Sequence, residues 1–140
     1  MLPALNHTVS VRRRFSGSAG AFRAVLALSA ILALIAGILA GAVLASPEKA
    51  DPALDTLLRF MALIKAAIAT GAAALAAWRF GFPIPPKLAT GYIAAVVLMA
   101  LSPGLIWFQS GLVLASAFFH SGLLLGFALA AGDGLAKQRK

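Results

Sequence analysis

Apolar residues along this chain fall into four blocks, separated by short stretches rich in charge, proline or glycine. The first block, 24–45, runs 22 residues without a charge. At a helical rise of about 1.5 Å per residue that is long enough to cross the roughly 30 Å of a bilayer's hydrocarbon. The second lies between Arg59 and Arg79 and is interrupted only by Lys65. The last run, 88–131, holds 44 residues with no charged side chain except a protonatable His120. It is too long for one crossing and suits two. Ser102-Pro103-Gly104 is its strongest helix breaker and Gln109-Ser110-Gly111 the second, so the turn is expected within 102–110, with Trp107 at the membrane interface. The pattern predicts an all-α membrane protein with four transmembrane helices in an up-down bundle. Their approximate spans are 24–45, 59–79, 88–106 and 110–131. A basic segment, 1–23, precedes this 24–131 domain and a basic tail, 132–140, follows it.

Composition strengthens the membrane reading. Of 140 residues, 61% are hydrophobic and 11% charged, whereas a soluble domain carries about a quarter charged residues. The net charge of +8 does not point to nucleic acid, because the basic side chains sit at the ends of apolar blocks. Arg12, Arg13, Arg14 and Arg23 precede the first block, Arg79 and Lys87 flank the second connection, and Lys137, Arg139 and Lys140 close the chain. The 46–59 connection instead sets Glu48, Asp51 and Asp55 against Lys49 and Arg59. By the excess of Lys and Arg on cytoplasmic segments, both termini and the 79–87 connection are expected in the cytoplasm. That basic face also suits anionic lipid headgroups. An arginine-flanked, alanine-rich composition fits a bacterial inner-membrane protein. There is no cysteine, which removes disulfides, thiol chemistry and cysteine-ligated metals.

Two local features bear on organisation. Arg12-Arg13-Arg14-Phe15 followed by an apolar run has the outline of a secretory leader ending at Val43-Leu44-Ala45. The run exceeds the 7–15 residues usual in a leader, so retention as a membrane span is expected. In the 80–87 connection, Pro83, Pro85 and Pro86 forbid helix continuation and predict a stiff turn. Phe80 and Phe82 would be available to a partner if exposed.

In lipid, helices associate where small residues let backbones approach. Ser29, Ala33, Gly37, Gly41 and Ala45 recur every four residues on the first helix, Ala62, Ala66, Thr70 and Ala74 on the second, and Gly122, Gly126 and Ala130 on the fourth. The Gly37/Gly41 and Gly122/Gly126 pairs are the expected packing surfaces, within the bundle or against other integral membrane proteins or a second copy.

Chemistry has few candidates. His120 falls near the middle of the last span, on a sparse polar stripe with Gln109 and Ser116. An ionisable group at that depth marks a functional site by default, although a neutral imidazole bonded to Ser116 or a neighbouring carbonyl would serve as a packing pin. Ligation of haem by His120 would require Met99, at similar depth on the third span, or a ligand from another subunit. Lys65 lies six residues inside Arg59, about 9 Å down the helix. Its stem reaches toward the 46–59 connection by snorkelling or its ammonium meets an anion or lipid, and if both it and His120 faced inward it would oppose protonation of the imidazole. All four carboxylates fall outside the predicted spans, and no nucleophile–base–orienter set or metal constellation is present. The expectation is therefore a non-enzymatic accessory, scaffold or assembly subunit of a larger membrane complex, with no cofactor of its own. The alternatives are a redox subunit touching haem or quinone through His120, and a small oligomeric transporter or channel using Lys65.

Overall fold

The computed structural model describes the backbone of residues 4–45 and 51–138 and the side chains of 19–45 and 51–134. Arg12, Arg13, Arg14, Lys137, Arg139, Lys140, His7, Glu48 and Lys49 therefore lie outside the described side chains. The chain is all-helical: α1 is Ala4–Val43, α2 Pro52–Arg79, α3 Pro86–Trp107 and α4 Leu112–Gln138. Each contains a stretch long and apolar enough to cross a membrane, Ala19–Val43, Pro52–Arg79, Pro86–Trp107 and Leu112–Gly134. The protein is a multi-pass membrane protein in this sense.

Helix boundaries follow local chemistry. Pro52 and Pro86 open α2 and α3 at positions whose N–H would have no helical partner in any case. The helices run past the apolar blocks into polar sequence, so Asp55 and Asp133, expected outside the spans, sit on α2 and α4. The strongest breaker does not break. α3 continues through Pro103 to Trp107, and the chain turns at the second breaker, where Gln109 and Gly111 adopt left-handed φ of 57° and 59°. Pro103 gives up one backbone hydrogen bond, a loss tolerated in spans where neighbouring helices surround the backbone, and here Ser102, Pro103 and Gly104 are all buried.

They are buried because α3 is the central helix, packing on α1, α4 and α2. In its apolar window 56% of residues are buried, against 17–22% in the other three. Gly37 and Gly41 of α1 face α3 directly. A Cβ on Gly37 would collide with the Leu101 carbonyl, one on Gly41 would lie 2.6 Å from the Gly104 oxygen, and one on Gly104 would collide with the Gly37 and Ile38 backbone. The glycine that looked like part of a turn is the counterpart of the GxxxG pair.

On α2 and α4 the four-residue stripes give way to a seven-residue repeat. The positions turned inward on α2 are Leu58, Ala62, Lys65, Ala69, Ala72 and Ala76, while Thr70 and Ala74 are exposed. On α4 they are Ala115, Phe119, Gly122, Gly126, Leu129 and Asp133, while Ala130 is exposed. Alternating steps of four and three hold a seam against a neighbour, whereas a strict four-residue stripe winds around the helix and leaves it. Gly122 meets the Ala95 carbonyl of α3 at 2.6 Å from its would-be Cβ, but the nearest atom to Gly126 is 3.9 Å away.

A candidate polar site in the membrane span

Lys65 occupies an inward position of α2, half-buried. Its ammonium meets α4. It lies 4.8 Å from the centroid of the Phe119 ring on α4, an electrostatic contact with the ring face that strengthens where water is excluded. Phe119 is itself buried in the cluster with Ala69 and Met99. The imidazole of His120 stands edge-on to the same ring, with ring centroids 5.7 Å apart. The two ionisable residues singled out separately in the sequence thus both touch one phenylalanine. Nothing in the sequence marked Phe119 except its place between Ala115 and Gly122 in the seven-residue seam.

His120 is exposed. Val113, Leu124 and Phe127, on the same side of α4, are 86%, 69% and 66% exposed, so this is the helix face turned away from the bundle. Nδ1 of His120 lies 2.7 Å from the Ser116 carbonyl and 3.2 Å from its hydroxyl. A carbonyl only accepts, so the proton of the neutral ring sits on Nδ1 and Nε2 carries the lone pair. Among the described residues His120 bonds only within its own helix, so it does not pin α4 to a neighbour. Met99 is 2% exposed and points into the core, its Cγ 2.9 Å from the would-be Cβ of Gly122. Met99 and His120 do not face a common space. Gln109, the third member of the expected stripe, is drawn off into the turn, where its amide donates to Asp55 at 2.6 Å.

Polar contacts close both ends of the bundle. Where the 108–111 turn meets the start of α2, Asp55 pairs with Arg59 at 2.9 Å, and the Arg59 guanidinium lies 5.2 Å over the Trp107 ring. At the other end Arg79 grips Asp133 through two hydrogen bonds of 2.6 and 3.0 Å, with side chains only 11% and 15% exposed. Arg23 donates to the Ala77 carbonyl at 2.9 Å, satisfying the C-terminal turn of α2. Phe80, a candidate docking residue by sequence, is fully buried between Phe22 and Tyr92. Phe82 is exposed and stacks edge-on with Trp78.

Among the described residues no three His, Cys, Asp or Glu side chains converge to hold a metal ion. The Ser102 hydroxyl, fully buried, has no hydrogen-bond partner among them. Comparison with protein families, with curated proteins and with solved structures gives no match.

Proposed function

We propose that this chain is a non-catalytic accessory or assembly subunit of a larger membrane complex in a bacterial inner membrane, its four helices running up and down with both termini in the cytoplasm. The observation that carries this reading is the outward imidazole. A ring nitrogen with a free lone pair, at mid-span and on a lipid-facing side of α4, is costly against hydrocarbon and is a feature to be covered rather than exposed. The contacts that join Arg23 to Ala77, Asp55 to Gln109 and Arg79 to Asp133 support the alternating arrangement of the helices. The glycine contacts (Gly37, Gly41, Gly104 and Gly122 all meet other helices of the same chain) leave α4's outer face, and not the glycine stripes, as the surface for other integral membrane proteins. Purification in a mild detergent should bring down a stoichiometric membrane partner, and His120→Leu should release it while the chain stays folded by circular dichroism. A wild-type chain recovered alone and monodisperse under those conditions overturns the reading.

A further inference from the structure

One charge inside the span has no opposite charge beside it. α2 and α4 both pack on α3 but approach each other far less closely. Arg79 and Asp133 join them at one end, and Lys65 of α2 meets Phe119 of α4 within the span. The ring is buried and the lysine only half so, which leaves the lysine with surface open to a neighbour. Lys65 lies six residues past Arg59, and Phe119 seven past Leu112, where the α4 span begins. At the helical rise both distances put the contact about 10 Å deep. Among the described residues no carboxylate meets Lys65. Asp55 is held by Arg59 and Gln109, Asp133 by Arg79, and Asp51 precedes α2. The Phe119 ring attracts the ammonium but carries no net charge, so it offsets only part of the cost of a cation in hydrocarbon.

We propose that Lys65 is the docking point for a membrane span of a different protein that carries one Asp or Glu at matching depth. This rests on the reading of the chain as a subunit of a larger complex and states the chemistry by which the partner is recognised. Charge complementarity selects the occupant. Each protein alone holds an ionisable group in hydrocarbon, and side chains of opposite sign at that depth relieve each other's cost by pairing. A second copy of this chain cannot supply the carboxylate, because its own lie near or beyond the helix ends; it would bring another ammonium instead. A lipid phosphate stays at headgroup level, near the Arg59–Trp107 contact, whereas a carboxylate on a helix can stand at any depth. The position also adjoins the surface already assigned to partners. Phe119 touches both Lys65 and the outward-facing His120, so a helix seated on α4's outer face lies beside the ammonium.

The test uses the full chain in phosphatidylcholine vesicles and a synthetic leucine–alanine span of about 20 residues. The peptide carries a single Glu about six residues from one end, the depth of Lys65, and is measured beside the same peptide with Gln in that place. Association is read by energy transfer between a donor on the chain and an acceptor on the peptide. The Glu peptide should bind about tenfold or more tightly, the low end of the coupling between close interfacial charges. Lys65→Met, which keeps length and a favourable sulfur contact with Phe119, should bind the two peptides equally. Lys65→Glu should reverse the preference and favour a peptide with Lys at that position over the Glu peptide. Equal binding of the Glu and Gln peptides to the wild-type chain, or binding of neither, overturns the proposal whether or not the variants fold. So does loss of the Glu preference on adding stoichiometric phosphatidylglycerol, which would assign the ammonium to a lipid phosphate. A Glu preference in a chain that purifies without a partner would leave this site standing and remove the accessory reading; a stoichiometric partner retained in full by Lys65→Met would do the reverse.

Discussion

At the scale of single residues, the crossing of α1 and α3 turns on hydrogen atoms in place of side chains. Gly104 is buried with its missing Cβ pointed at the Gly37–Ile38 backbone, and a backbone cannot rotate away as a flexible side chain does. Gly104→Ala should destabilise the folded chain by about 1–3 kcal/mol, the range for forced overpacking, read as a lower midpoint of unfolding in mixed micelles. Gly71 is the internal control. It is helical, and nothing lies within 4 Å of its would-be Cβ. Gly71→Ala should hold the midpoint or raise it, since alanine is favoured over glycine in helices by about 0.5–1 kcal/mol. Equal losses from the two substitutions would mean that the α1–α3 contact is not a close backbone approach.

At the scale of elements, α2 and α4 are held apart by α3 and tied by charged side chains. The Arg79–Asp133 pair is two-pronged and mostly buried, the geometry in which an arginine–carboxylate contact is strongest. Removing one partner leaves the other charge inside the bundle. Asp133→Leu and Arg79→Leu should each cost about 3 kcal/mol. The double variant should cost less than the two losses added, because the contact between the two side chains is lost only once. Strict additivity in unfolding measurements would show the pair to be uncoupled. The same contact shows how far element ends depart from hydropathy. An apolar run ends where its last apolar residue ends, but a helix continues as long as its backbone bonds and its polar side chains find partners, which is why Asp55 and Asp133 are helical and paired.

For the whole molecule, orientation in the membrane is the property to measure. The chain contains no cysteine, so single cysteines report without background. Phe82→Cys, in the exposed connection after α2, and Thr56→Cys, in the first turns of α2, lie at opposite ends of that helix. The Lys and Arg distribution predicts that a membrane-impermeant maleimide labels Thr56→Cys in spheroplasts and Phe82→Cys only in inverted vesicles. Labelling with the sides exchanged would invert the topology, and labelling of both from one side would remove the crossing by α2.

Number and type of the helices were legible in the sequence, because transfer into hydrocarbon is a property of each segment on its own and needs no knowledge of its neighbours. So was Ser116 as the local partner of His120, since side chains four apart on a helix meet wherever the helix lies. The turn was legible only as a choice between two breakers. Its resolution depended on α1, whose Gly37 and Gly41 accept Gly104 and make Pro103 a buried helical residue. Only the tertiary structure decided which way the polar side chains face. Lys65 turns inward onto Phe119 because α2 packs along a seven-residue seam that includes it, and His120 turns outward because the seam on α4 includes its neighbour Phe119. A shift of one residue on a helix moves a side chain by about 100°. No count of residues along one chain settles that angle until the neighbouring helix is in place.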